Sequence, residues 1–438
     1  MNVNDPPEAD IRQTPPDPDP QETLPPITEK QLARLWQRRA TRSRALKTER
    51  GHRIRVLYPG RPGVTAGPDF RNALVLVEDQ GLVQGDVEVH LRQQDWRSHG
   101  HHEDPNYNGV ALHVALETAG AHSNTASGRQ PPLVELQDLL DAPADEESPD
   151  EARDTLWRLL ERHGYRRPDT AERMAALLNR AGDERFLARS RVLQQLMSAQ
   201  APTQTLWEAI CEALGYRHNQ HTFLQLATSA PIDALESMAR RLPARVRSAM
   251  LADALLDVAG FADNPRRSLI NGGGAKLGPP LDPAQWKLFR VRPSNHPRRR
   301  VAGAAELLAR FADEGILGGL TNVAISDNPS TLTRALSVGS DAAGGPALIG
   351  PGRAGDIAVN AVLPFLHGWA GLLGDAVRSA AALEMYRKQG RLTENEITRE
   401  LAASLQPPDW GRVARTARQQ QGLIHLQRLL AGAGTAQR

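Results

Sequence analysis

Residues 67–117 read GPDFRNALVLVEDQGLVQGDVEVHLRQQDWRSHGHHEDPNYNGVALHVALE, and the fold is decided by how this stretch is read. Counted by twos, Asp86, Glu88 and His90 fall on one face of an extended strand, and Val87, Val89 and Leu91 on the other. An acidic, imidazole-bearing face backed by an apolar one is how a packed sheet presents chemistry. Asp95, His99, His101, His102, Asp104 and His113 follow closely. Six of the 13 histidines occupy positions 52, 90, 99, 101, 102 and 113, which points to a metal or acid–base site here.

Working outward, RIRVLYPG upstream predicts a strand with Ile54, Val56 and Tyr58 on one face. The glycine-bearing loop RPGVTAGPDF then delivers Asp69 to the mouth of a second strand, ALVLVED. LVQGDVEVHL is the third strand, the histidine-rich connection is a loop or short helix, and GVALHVALE is the fourth strand. PPLVELQDLL adds an edge element. Before them, Thr28 caps a helix, TEKQLARLWQRRA, with Leu32, Leu35 and Trp36 as its apolar stripe and Glu29 in its first turn. The order of elements predicts an α/β domain over residues 27–140.

The flanks differ. Residues 1–26 hold eight prolines and almost no large apolar side chains, a composition that predicts a disordered tail. DAPADEESPDEARD contains an acidic linker, residues 141–150. Beyond it the apolar spacing changes to three and four, which predicts an all-helical domain over residues 151–438, with separate helices at AERMAALLNRAG and LARSRVLQQLMSA among others. No fixed-period repeat is present.

With 53 Lys+Arg against 51 Asp+Glu, no global field commits the chain to nucleic acid or membrane. One cysteine, Cys211, excludes an internal disulfide framework and reads as a buried, inert thiol in a helix. No apolar run approaches the roughly 20 residues that span a bilayer, and no signal layout opens the chain, so the expected compartment is the cytoplasm. Walker, dinucleotide-glycine and nucleophile-elbow motifs are absent.

Two carboxylates with a third ligand, projected from neighbouring strands, suit a hard divalent cation. Asp69 and Glu88 are candidate ligands for Mg²⁺ or Mn²⁺, with His90 placed to orient or deprotonate a water. The alternative is the solvated outer face of an antiparallel sheet. His99 and His101, with Asp104 and His113, form a candidate Zn²⁺ site; the alternative is a surface loop of individually solvated histidines. Trp96 and Tyr107 read as anchors pinning that loop. Arg290, Arg292, Arg298, Arg299 and Arg300, near Trp286 and Phe289, are candidates for a nucleic-acid strand, or else pair with nearby acids.

The order αβββ-crossover-β, with Glu29 on the helix, Pro68-Asp69 before the second strand and Glu88-Val89-His90 on the third, resembles the PD-(D/E)XK nuclease superfamily. The resemblance implies a restriction-endonuclease-like αβββαβ core and divalent-metal-dependent phosphodiester hydrolysis. It also implies that Glu29, Asp69 and Glu88 serve the reaction, with nucleic acid as the partner. His90 stands where that superfamily usually has Lys, so the fixed positive charge near the phosphate is missing. The other class of function is a catalytically silent binding module on the same fold. Over nearly the whole chain, GPDFRNA, GDVEVH, DWRSHGHHEDPNYNGVALHV, RVRPSNHPRRR, AVNAVLPFLHGWA and ARQQQGLIHL look like the uncharacterised bacterial family called domain of unknown function 2851, which supplies no reaction.

Overall fold

The computed structural model describes residues 28–41, 46–63, 67–78, 80–119, 122–137, 149–262, 277–288, 295–324, 328–340, 345–394 and 396–432. The expected tail lies outside them, as does the acidic linker apart from Pro149 and Asp150, which open a helix.

The chain begins with α1, Glu29–Arg39. Thr28 caps it in a reciprocal box with Gln31, whose Oε1 accepts the Thr28 backbone N–H at 2.7 Å. Leu32 and Trp36 form its buried stripe, and Trp36 Nε1 donates to Pro59 O at 3.0 Å.

Seven strands follow: β1 Leu46–Lys47, β2 Arg53–Tyr58, β3 Arg61–Pro62, β4 Phe70–Val77, β5 Gly81–Arg92, β6 Val110–Glu117 and β7 Leu133–Glu135. Their order is β1-β2-β4-β5-β6-β7, with β3 beside β4. Pairings up to β5 are antiparallel; β5–β6 and β6–β7 are parallel. The sheet is therefore mixed. It also curls until its edges touch: Thr48 bridges Val134, and Glu49 N donates to Leu133 O at 2.9 Å. Both edge strands thus lose part of their exposed ladder. The side chains facing α1 come from every long strand, including Ile54, Val56, Val75, Val87, Val89, Leu112 and Val114.

The crossover from β5 to β6 is much smaller than a packing helix. It is a four-residue helix, α2 Asp95–Ser98, followed by a 3₁₀ turn at Pro105–Tyr107. Strand register also corrects one expectation. A shift between Val56 and Tyr58 sends Tyr58 to the opposite cluster from Ile54 and Val56. Asp86 accepts Asn72 N at 3.0 Å and lies 3.5 Å from Arg71 Nη1.

Among the described residues the remainder is mostly helical: α3 Pro149–Glu161, α4 Ala171–Met197, α5 Pro202–Leu214, α6 Tyr216–Ser229, α7 Ile232–Arg241, α8 Ala244–Val258 and α9 Pro297–Arg310. Then come α10 Ile316–Ala324, α11 Pro329–Leu336, α12 Pro351–Ile357, a π turn at Ala358–Val362, α13 Leu363–Leu372, α14 Ala376–Arg387, α15 Glu396–Leu405 and α16 Ala417–Gly432. The two helices expected at residues 171–199 are one, because Gly182 serves packing rather than termination. A β-carbon at Gly182 would run into Arg418 O of α16, and one at Gly422 into Leu178 O of α4.

These helices cover the outer face of the sheet. Tyr58, Leu74, Leu76 and Leu82 are buried with Leu156, Trp157, Leu178, Leu401, Leu405, Leu423 and Leu426. A larger cluster, including Trp207, Phe223, Leu251, Leu308 and Phe365, fills the helical part, and Cys211 is buried within it. Among the described residues no helix is long and apolar enough to cross a membrane.

Candidate metal centre

The outer face of the sheet has a second zone beyond Leu82, where β5 leaves β4 and continues beside β6. Its last backbone pairing with β4 is Phe70↔Val87. Past that point side chains replace the ladder: Asp69 Oδ2 accepts Val89 N at 3.1 Å, and Glu88 Oε2 accepts Asp69 N at 2.9 Å. The Pro68-Asp69 turn thereby fixes two carboxylates against each other. Glu29, at the start of α1, is near enough for its charge to act on both.

Glu88 and His90 share a face, and both are buried. His113, directly opposite Glu88 in the parallel register, is buried beside them. The small crossover supplies the rest. Gly100, at φ +76°, ends α2 in a left-handed turn: Gly100 N donates to Arg97 O and His101 N to Trp96 O. His99 and His101 flank that turn, and both come back over His90, with ring centroids 5.1 Å away in each case. Tyr107 stacks on His101 at 3.8 Å, while buried Trp96 closes the edge and donates Nε1 to Asn124 O at 2.8 Å. The two aromatics anchor the loop, as the sequence suggested.

One ring nitrogen from each of His90, His99 and His101 lies within 4.8 Å of the others. Glu88 Oε1 is 3.1 Å from His101 Nε2 and 3.6 Å from His90 Nε2. Neither contact has hydrogen-bond geometry, and both Nε2 atoms are buried with no hydrogen-bond partner. Two orphaned imidazole nitrogens aimed at one carboxylate fit a bound divalent cation. His99 is exposed and marks the solvent side.

His113 stands outside this group. Its Nε2 is 2.8 Å from His90 Nδ1, and its Nδ1 is 2.7 Å from Ser123 Oγ. Burial, then the neighbouring histidines, hold His90 down at about 2 and His113 at about 3. Burial also lowers His101. Asp69 and Glu88 move the other way: burial raises both into the neutral range, helped at Asp69 by Glu88 and at Glu88 by Glu29. Neutral imidazoles beside reluctant carboxylates describe a pocket short of positive charge.

Glu29, Asp69, Glu88, His90, His99 and His101 are thus assembled, with His113 behind His90 as a buttress. Ser123 was missed; nothing in its local sequence marks it, because only the return of the chain after β6 brings it to His113. The arginines are elsewhere. Arg290 and Arg292 lie outside the described residues, and Arg298 is exposed at the start of α9. Arg299 donates to Pro346 O and Arg300 to Leu348 O, each at 2.7 Å, and Arg300 is buried. These two tie a loop to the helix.

A family model described as "Protein of unknown function (DUF2851)" matches residues 29–338, which takes in the sheet and the helices through α11. No curated protein and no solved structure matches the chain.

Proposed function

Because the chain belongs to the Protein of unknown function (DUF2851) family, whose description assigns no reaction, we propose its function from the site itself: divalent-metal-dependent hydrolysis of phosphodiester bonds in nucleic acid. The observation that carries this reading is the convergence of His90, His99 and His101 on Glu88, with two buried nitrogens left unpaired. Three imidazoles and a carboxylate suit Zn²⁺ or Mn²⁺ better than Mg²⁺, which prefers oxygen donors. His90, where the PD-(D/E)XK pattern has Lys, joins the ligand set. Such an ion polarises a phosphoryl oxygen and acidifies a bound water.

The chain's own groups do the rest. Asp69 is held by one oxygen on Val89 N, and its other oxygen is the base that takes the proton of the attacking water. Burial, then the charges of Glu88 and Glu29, keep its proton affinity high enough for that task. The nucleic-acid substrate is supported by Glu29, Asp69 and Glu88, the residues through which the sequence resembles the nuclease superfamily. A zinc hydrolase acting on another bond is the second reading, favoured by the imidazole majority.

Protein stripped with a chelator and titrated with Mn²⁺ and Zn²⁺ by calorimetry is expected to take one ion per chain. Glu88→Gln and His101→Ala should each weaken that binding at least 100-fold, and the loaded wild type should cut labelled DNA or RNA. Stoichiometric zinc without cutting of any strand would select the second reading. Equal metal affinity in wild type and Glu88→Gln would remove both.

A further inference from the structure

Away from the metal centre, where α4 packs on α16, Arg185 meets no carboxylate among the described residues. Arg185 Nε donates to Gln421 Oε1 at 2.6 Å and Nη2 to Asn360 Oδ1 at 3.5 Å, both neutral acceptors. The neighbouring carboxylates are committed to other groups. Asp183 holds Arg387 and Arg418, Glu212 holds Arg189, Glu184 meets Tyr165 and His425, and Asp356 meets Arg353.

Two more guanidiniums are close. Burial, then the charges of Arg428, exposed on α16, and Arg189, one turn along α4, lower the Arg185 guanidinium to about 10. Asn360 belongs to the π turn, and its backbone oxygen accepts Arg189 Nε at 3.3 Å. A half-buried guanidinium with neutral partners and like-charged neighbours is unfavourable unless an anion completes it. π turns also occur frequently at functional sites.

The position is suggestive. Gln427, next to Arg428, donates to Gln84 Oε1 at 2.6 Å, and Gln84 shares a strand face with Glu88, roughly 13 Å along β5. We propose that Arg185, Arg428 and Asn360 form a seat for a backbone phosphate of the nucleic-acid strand whose reacting bond lies at the metal centre. The seat stands on the arginine geometry; the strand as bearer of the phosphate rests on the hydrolase reading. Arginine suits this role because its planar fork meets phosphate oxygens in pairs.

The test is fluorescence anisotropy of a labelled single-stranded oligonucleotide on the full chain in chelator, where no cutting occurs. Arg185→Gln and Arg428→Gln should each weaken binding at least 5-fold and lower the salt slope by about 0.7. Arg240→Gln, at an exposed residue of α7 paired with Glu236, should change neither. Arg428 is exposed, so its variant remains informative if Arg185→Gln folds poorly. Equal affinity in wild type and Arg428→Gln overturns the seat. A wild type whose melting temperature rises with inorganic phosphate but that binds no oligonucleotide overturns the strand as its ligand. A wild type that binds the oligonucleotide through Arg428 in chelator, but cuts no strand when loaded with Mn²⁺ or Zn²⁺, leaves the seat standing and isolates failure of the hydrolase reading.

Discussion

At His90 the placement of one proton fixes the next two. For Nε2 to offer a lone pair to a cation, the proton must sit on Nδ1, which then donates to His113 Nε2. His113 must in turn be protonated at Nδ1 and donate to Ser123 Oγ. Groups behind metal-ligating imidazoles tune affinity by 10–100-fold. His113→Phe is therefore expected to weaken Mn²⁺ or Zn²⁺ binding by about 10–100-fold while the ligand count stays the same, measured by calorimetric titration. Titration of the site has a definite sign. His90 and His113, depressed in the folded state, contribute stability that is present above about pH 6.5 and lost as pH falls. Asp69 and Glu88 are raised, so their contribution is present below about pH 4 and lost as pH climbs through the neutral range. Above pH 6.5 only the carboxyls act, so the melting temperature of metal-free protein should fall from pH 6.5 to 8.5. Metal binding needs the carboxylates deprotonated, so affinity should rise over the same interval. A melting temperature that climbs with pH in chelator would contradict the raised pair. Alternation by twos was enough to read Glu88 and His90 from the sequence. Asp86, on the same alternation, is tied to Asn72 N and Arg71, partners that the strand pattern does not name.

At the scale of elements, the centre depends on a helix only four residues long. Gly100 carries the left-handed turn that places His99 and His101, and nothing lies within 4 Å of where its β-carbon would be. The cost of a side chain there is conformational rather than steric. Gly100→Ala should lose about 1 kcal/mol of stability in urea unfolding. It should also weaken metal binding more than that loss explains, since both flanking imidazoles move; unchanged metal affinity would show that the turn does not position them. Asn, which tolerates this backbone region, should be milder. The long strands were legible because each carries an apolar run or alternation bounded by Gly or Pro, whereas β1 and β3, of two residues each, carry neither and were not expected. The crossover was read as a loop or short helix pinned by Trp96 and Tyr107, and it is one; what its polar run could not show is that His99 and His101 both turn back onto His90.

At the scale of the molecule, the boundary suggested by the acidic segment does not separate two cores. Leu74, Leu76 and Leu82 of the sheet are buried by leucines of α3, α4, α15 and α16. At about 1.5–3 kcal/mol per fully buried leucine, that face is too apolar to stand alone in water. A fragment of residues 28–140 is expected to be aggregated or unfolded by circular dichroism and size-exclusion chromatography, whereas a sharp, monomeric, cooperatively melting fragment would show that the helices are dispensable. Composition and periodicity exposed the change from sheet to helix, but long-range covering of the sheet leaves no local signal. The glycine pair of α4 and α16 has a last consequence. Moving α16 by one turn would bring Leu426 or Arg418 to the slot that Gly422 fills against Leu178 O, and neither side chain has room there. The C-terminal helix therefore has a single docking position, and the spacing between Arg428 and Glu88 is set like teeth on a key rather than left to sliding.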